Sequence, residues 1–256
     1  MLAEQNNCRP YIFFGRYEAY FFIFFSKISK VSQRKESVDM NTSVIWEKEE
    51  LAILKKNACI IHTLTNHILF KENDETDNVY FIEKGHIRHY HNTARGKMAI
   101  VSICGPNEII GIPAILLRQK RGVYAETIDE STLWVIPQRD FFNILYQHPQ
   151  LTLKMMAIYC QYVRNYEYSI EGLLAADVSA RLAWLLIHIA STAREKGRLR
   201  HFIDFRITHQ EMADMIGACR QTVTVVLGHF QENGWVRVSK NFIEIMGIEE
   251  LKKMAG

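Results

Sequence analysis

Cysteine is sparse and scattered: five occur in 256 residues, at positions 8, 59, 104, 160 and 219, and no two form a Cys-x-x-Cys pair. The spacings of zinc ribbons and iron–sulfur sites are therefore absent. An odd, dispersed set in a chain of this size fits reduced thiols in a cytoplasm. Long apolar runs are lacking too. The most hydrophobic stretch, YIFFGRYEAYFFIFF from Tyr11, is broken by Arg16 and Glu18, and its longest clean run is Ala19 to Phe25. A bilayer-crossing helix needs about 20 apolar residues, and a secretory signal a longer apolar core with a small-residue cleavage site. Lys27, Lys30, Arg34 and Lys35 follow the aromatic patch and do not lie opposite it, which disfavours a membrane-surface helix. No strong charge bias exists either. From residue 177 onward eleven Lys or Arg face nine Asp or Glu; residues 41–176 carry fourteen against fifteen. So mild a bias identifies no partner. No nucleophile–base pairing, metal-ligand set or phosphate-cradling glycine loop stands out, so an enzyme is the weakest reading, and we expect no cofactor and no metal.

Residues 1–39 read as an atypical extension, either an upstream-start artefact or a loosely ordered segment, with Met40 opening a stretch of ordinary composition. The remainder has the length of two modest domains with separate cores. WEKEELAILKKN, residues 46–57, predicts a short amphipathic helix. Val79–Ile82, Ile87–His91, Met98–Ile103, Val123–Ile128 and Leu133–Ile136 are short β runs parted by Gly, Asn, Pro or charge. They predict a small barrel or sandwich with hairpin turns at Gly85 and Asn92–Gly96. From Pro149 no Gly or Pro interrupts the chain before Gly172. Leu151, Met155, Ile158 and Tyr162 mark one apolar stripe there; Leu153, Met156, Cys160, Val163 and Ile170 mark another. A helix with two stripes needs covering on two sides, and a second copy of the chain is the economical cover for one of them.

A second helical run follows from Asp177 to the polar loop Arg194–Arg200. Alternating Ile203, Phe205 and Ile207 predict a strand over Phe202–Ile207. Then comes THQEMADMIGACRQTVTVVLGHF, Thr208 to Phe230. Thr208 and Glu211 have capping-box spacing. Met212, Met215 and Ile216 form a buried side, and Gly217 permits the left-handed turn between two helices. The second helix buries Val223, Val226, Leu227 and Phe230, leaving Arg220, Gln221, Thr224 and Val225 outward in its first turn and a half. Val236, Val238, Ile243 and Ile245 around Ser239–Asn241 predict a terminal β-hairpin. This is a winged helix-turn-helix pattern, whose recognition helix sets its N-terminal residues against bases in the major groove. Arg220 suits guanine and Gln221 adenine, Thr208 and Thr222 suit phosphates, and His209, Gln210 and Lys240 complete the candidate DNA contacts. On helix spacing alone, a plain helical hairpin would explain the pair as well.

The whole arrangement, over residues 58 to 254, resembles the CRP/FNR family of bacterial transcription regulators. ITHQEMADMIGACRQTV from Ile207 follows the family's ITRQEIGQIVGCSRETV-type signature, VYFIEKGHIRHY from Val79 its YxIxxGxVxxY segment, and PNEIIGIPAIL from Pro106 its GDxFGE-type turn. The resemblance implies an α+β chain. An N-terminal β-roll sensor of jelly-roll type would span residues 40–148, a dimerisation helix 149–175, and a winged helix-turn-helix 176–256. It also implies a homodimer on a palindromic operator, contact with RNA polymerase, a small effector and a cytoplasmic setting, with no membrane partner.

Departures from the family pattern narrow the effector. Ile112 stands where cyclic-nucleotide binders carry a ribose-bonding Glu, while Arg121 stands at the phosphate-binding Arg, so cyclic AMP is disfavoured. The N-terminal cysteine cluster of oxygen sensors is missing, as are haem ligands near Ile109–Pro113. What remains resembles the branch that senses aromatic acids and phenols. Gly111, Arg121, Tyr124, His89, Tyr162 and Tyr166 are the expected effector residues. An effector-independent regulator whose own side chains fill the pocket is the alternative. His86, His89 and His91 have chelating spacing, but no nearby carboxylate or cysteine completes a set, so we expect an effector-lining or solvated strand. Cys219, near the recognition helix N-terminus, is a candidate redox thiol through the helix dipole and Arg220. Finally, CRP and FNR carry at the position of Val225 an Arg that contacts guanine. An apolar branched side chain there predicts contact with a thymine methyl and a half-site unlike TGTGA or TTGAT.

Overall fold

The computed structural model describes residues 46–93, 98–175, 177–192, 201–240 and 242–255. The extension over 1–39, most of the Asn92–Gly96 turn, the Arg194–Arg200 loop and Asn241 fall outside these described residues. Helix α1 (Lys48–Lys55) opens on a reciprocal cap in which the Glu47 amide donates to the Glu50 carboxylate at 2.8 Å. Eight strands of the described residues follow: β1 (Cys59–Thr63), β2 (Ile68–Phe70), β3 (Asn78–Lys84), β4 (Ile87–Asn92), β5 (Met98–Cys104), β6 (Ile109–Ile110), β7 (Tyr124–Thr127) and β8 (Ser131–Pro137). They pair antiparallel in two sheets of order β1-β8-β3-β6 and β2-β7-β4-β5.

The two-residue period of a strand sorts its side chains between two cores. On β3, Ile82 enters the space between the sheets, meeting Leu133 and Ile110 of its own sheet and Phe70, Ile87 and Ala125 of the other. Val79 and Phe81 face the opposite way. Trp46, Leu54, helix α2 (Ile112–Leu117), Phe141 of helix α3 (Gln138–Gln147) and Leu151 and Met155 of helix α4 (Pro149–Ala175) cover them. The turn from β3 to β4 requires Gly85: its φ is +90°, and a Cβ there would collide with Ser131.

Along the 27 residues of α4 the two apolar stripes part company. Leu151 and Met155 are buried, with Ile158 and Tyr162 half-buried. Leu153, Met156, Val163 and Ile170 are 42–59% exposed. The C-terminal part contains α5 (Val178–Thr192), β9 (His201–Ile203), α6 (His209–Met215), α7 (Arg220–Glu232), the hairpin β10 (Val236–Val238) and β11 (Ile243–Ile245), and α8 (Ile248–Ala255). The strand expected over Phe202–Ile207 ends at Ile203, because β11 offers it pairing only from His201 to Ile203 before the chain turns into α6. Phe205 is buried without being in a strand. Leu182, Leu186, Met212, Val223, Leu227 and Phe230 form the centre of this part, and the same apolar cluster continues into Tyr90, Ile100 and Ile103 of β4 and β5.

Candidate nucleic-acid interface and effector site

The helix-turn-helix is built from local chemistry. Thr208 caps α6: its hydroxyl accepts from the Glu211 amide at 3.1 Å, and the Glu211 carboxylate accepts from the Thr208 amide at 2.7 Å. Gly217 takes φ +62°, and Cys219 is the N-cap of α7. Burial of Val223, Leu227 and Phe230 then fixes the rotation of α7, leaving Arg220, Gln221, Thr224 and Val225 outward. Val225 is 71% exposed, apolar surface that a partner could cover favourably.

Thr224 is less polar than its formula. Its hydroxyl donates to the Arg220 carbonyl at 3.0 Å and lies 2.8 Å from Nδ1 of His209. These contacts use the hydroxyl proton and one face of the oxygen, leaving Thr224 without a free donor. Thr208, His209, Gln210 and Arg220 line one open notch between the starts of α6 and α7. Thr222 is half-buried with its hydroxyl 2.9 Å from the Cys219 sulfur, and Lys240 is exposed at the wing turn. The Cys219 thiol is held below its ordinary pKa first by the Thr222 hydroxyl and then by the Thr222 and Gln221 amides.

Inside the β-roll, Arg121 is 3% exposed. One terminal nitrogen donates to the Gly111 carbonyl at 3.0 Å and the other to the Asn78 carbonyl at 2.5 Å, while the guanidinium lies 4.3 Å over the Phe70 ring. Gly111 has φ +88°, a conformation that favours glycine, and a Cβ there would stand 2.5 Å from Arg121 Nη1 and push the guanidinium aside. Phe70 also faces His89 and Tyr80, with ring centroids at 6.2 and 5.9 Å. Burial, reinforced by Arg121, pulls the His89 imidazole down to about 4, so it is neutral at physiological pH. Its Nδ1 is 3.1 Å from the Ser102 hydroxyl. Among the described residues, Nε2 of His89 and Nε of Arg121 are buried with no hydrogen-bond partner.

The long helix closes this region. Tyr166 reaches the Ser102 hydroxyl beside His89. Tyr162 donates to Glu108 at 2.5 Å, and desolvation lifts that carboxyl above its ordinary range. Burial likewise raises the Cys104 thiol, whose sulfur is 3.7 Å from Nδ1 of His89. Tyr124 is not brought to this group: it stacks on Tyr90, centroids 5.0 Å apart, in the cluster shared with the C-terminal part. His91 and His86 go to separate carboxylates, Glu72 and Asp129. Phe70, Tyr80, Ser102 and Glu108 were missed by sequence reasoning, which had no local signal for side chains assembled from different strands.

Two domain models match the chain: a cyclic nucleotide-binding domain over residues 61–148 and a Crp-like helix-turn-helix domain over residues 180–254. Among curated relatives, a CRP-like cAMP-activated global transcriptional regulator of Mycobacterium tuberculosis is 25% identical over 211 residues, 82% of this chain and 93% of that one. A global nitrogen regulator of Synechocystis is 26% identical over 179 residues, 69% and 80% of the two chains. Among solved structures, FixK2 of Bradyrhizobium japonicum superposes with a TM-score of 0.67 at 16% identity, covering 78% of this chain and 98% of its own. A CooA variant from Carboxydothermus hydrogenoformans gives 0.63 at 22% identity, covering 86% and 98%. No helix among the described residues is long and apolar enough to cross a membrane. The relatives are transcription regulators, in a family that is not enzymatic. With both domain models in order and relatives of this kind along its length, the chain belongs to the CRP/FNR family of DNA-binding transcription regulators.

Proposed function

We propose that two copies of the chain pair along the exposed stripe of α4 and bind a palindromic operator, each placing α7 in a major groove. The reading is carried by one observation: Arg220, Gln221, Thr224 and Val225 are exposed together on the first turns of a helix whose other side buries Val223, Leu227 and Phe230. Arg220 and Gln221 supply the polar readout, while Val225 and the Thr224 methyl favour thymine methyls. Thr208, Thr222, His209, Gln210 and Lys240 contact the backbone. Operator occupancy then controls access of RNA polymerase, in the cytoplasm. Selection of half-sites from random duplexes tests this. Val225→Arg is expected to shift one position toward guanine, and an unchanged consensus would remove Val225 from the reading set.

The effector is a small anionic or aromatic molecule held by Arg121 and His89 in the β-roll, beside Gly111 and with Tyr162 and Tyr166 of α4 near it. Support comes from two buried, unpartnered nitrogens on side chains that share the Phe70 ring. The cyclic AMP of the mycobacterial relative fits poorly, since Ile112, buried and apolar, offers no acceptor for a ribose hydroxyl. One observation favours the effector-independent reading: both terminal nitrogens of Arg121 already bond backbone carbonyls. Operator affinity measured with cyclic AMP, benzoate-type acids and no addition separates the two. The sensor reading expects a change with an aromatic acid and none with cyclic AMP.

A further inference from the structure

β4 has two faces, and both are occupied by chemistry. Inward, Ile87 and His89 line the β-roll beside Phe70. Outward, the alternate positions are Arg88 and Tyr90, and His86 just before the strand falls in the same series. All three meet the C-terminal part or the groups that hold it. One terminal nitrogen of Arg88 donates to Glu211 at 3.0 Å, while the other bonds Glu126 and also Asn66, the latter at 3.0 Å. The second oxygen of Glu126 accepts from the Tyr90 hydroxyl at 2.9 Å. Glu211 is the residue that caps α6: its other oxygen accepts from the amide and hydroxyl of Thr208. One continuous polar chain thus runs Tyr90, Glu126, Arg88, Glu211, Thr208, from the sensor sheet to the first residue of the helix-turn-helix.

His86 makes a second tie. Its backbone amide and Nδ1 both reach Asp129 (2.7 and 2.8 Å), its ring lies 4.3 Å from that of Phe205, and Nε2 is 3.5 Å from Asp204. Between the ties, Tyr90, Ile100 and Ile103 join the apolar cluster of the C-terminal part. The side chains of Arg88, Glu126 and Glu211 are only 14%, 9% and 21% exposed. Ions so far from water are costly unless every partner is present, so loss of one is felt by the others. A seam that includes ions can also reopen, because those groups regain water when the domains part.

We propose that the outer face of β4 is the docking surface that sets the orientation of the helix-turn-helix, with the Arg88–Glu211 bridge as its polar clamp. Any displacement of β4 by an occupant at His89 is then passed to α6 across the thickness of one strand. The docked orientation leaves α7 exposed, so docking governs where the reading helix points and not whether it is covered. In a dimer that orientation fixes the distance between half-sites. Transmission from His89 rests on the proposed effector site and the DNA readout on the proposed operator reading; docking itself is measurable without either.

Arg88→Gln in the full chain is the test, read first by amide hydrogen exchange. The expected result is an increase of about tenfold or more at α6 amides with β3 and β8 unchanged, as local opening requires. Glu211→Gln keeps an acceptor for the α6 cap but loses the charge facing Arg88, so it serves should Arg88→Gln not fold. The double variant should exchange like either single one, not as their product. On DNA, the affinity of Arg88→Gln for one half-site should stay within about twofold, while the penalty for one extra base pair between half-sites should shrink from about tenfold to about threefold. Unchanged α6 exchange, multiplicative single effects or an unchanged spacer penalty would each overturn the proposal. Failure of the unmodified chain to bind any duplex would overturn the operator reading and leave the exchange result to decide docking.

Discussion

Arg220, Gln221, Thr224 and Val225 lie within six consecutive positions on one helix, whereas Phe70, His89, Gly111 and Arg121 come from four separate segments of the β-roll. The first group is exposed and set by helical period; the second is buried and set by strand pairing and a glycine turn. An exposed helix surface of this kind can change one residue at a time. The buried group cannot, because its members are also part of a core: Arg121 holds two carbonyls, and Phe70 packs between sheets.

The contrast can be broken most directly at Phe230, fully buried on the inner side of α7. Phe230→Ala should cost about 3–5 kcal/mol by urea unfolding. Because its cluster includes Tyr90, Ile100 and Ile103, amide protection in β4 and β5 should fall with it; a loss of protection confined to the C-terminal part would show two independent halves. Arg220→Ala should cost about 1–3 kcal/mol in operator affinity, measured by titration, with unfolding unchanged. A loss of stability as large as the loss of affinity would erase the distinction between surface and core.

Glu108 sharpens the comparison through pH. Its folded pKa is raised by desolvation, so the folded state holds the proton more tightly than the unfolded chain. Its contribution is fully present below the ordinary carboxylate pKa and is lost as pH rises through the folded value. Glu108→Gln should therefore flatten the decline in unfolding free energy above pH 4.5, the ordinary value of the group. The smallest effect is expected at Cys219. Its exposed thiol should be alkylated before those of Cys59 and Cys160, and Cys219→Ser should change operator affinity by no more than about twofold.

Legibility followed distance along the chain. The Thr208–Glu211 cap, the Gly217 turn, the buried side of α7 and both stripes of α4 depend on residues three to seven apart, and each could be read from spacing. β1 and β2 were missed because CIIHT and ILF are too short to show a period, and β9 was read too long because its length is set by β11, some 40 residues away. Tyr124 looked like a partner of Arg121 from three positions' distance, but alternation on β7 sends it to the opposite face, toward Tyr90. The Arg88–Glu211 contact joins residues 123 apart, and nothing in either neighbourhood announces it.

The bare stripe of α4, from Leu153 to Ile170, carries a genetic consequence if it pairs as proposed. A copy damaged only in α7 keeps that stripe and still finds partners, so it spoils intact copies as well as failing itself. At equal expression of the two forms, about one pair in four would be wholly intact by random assortment. Mutations in the reading helix should therefore be dominant, whereas mutations that ruin the stripe should be recessive.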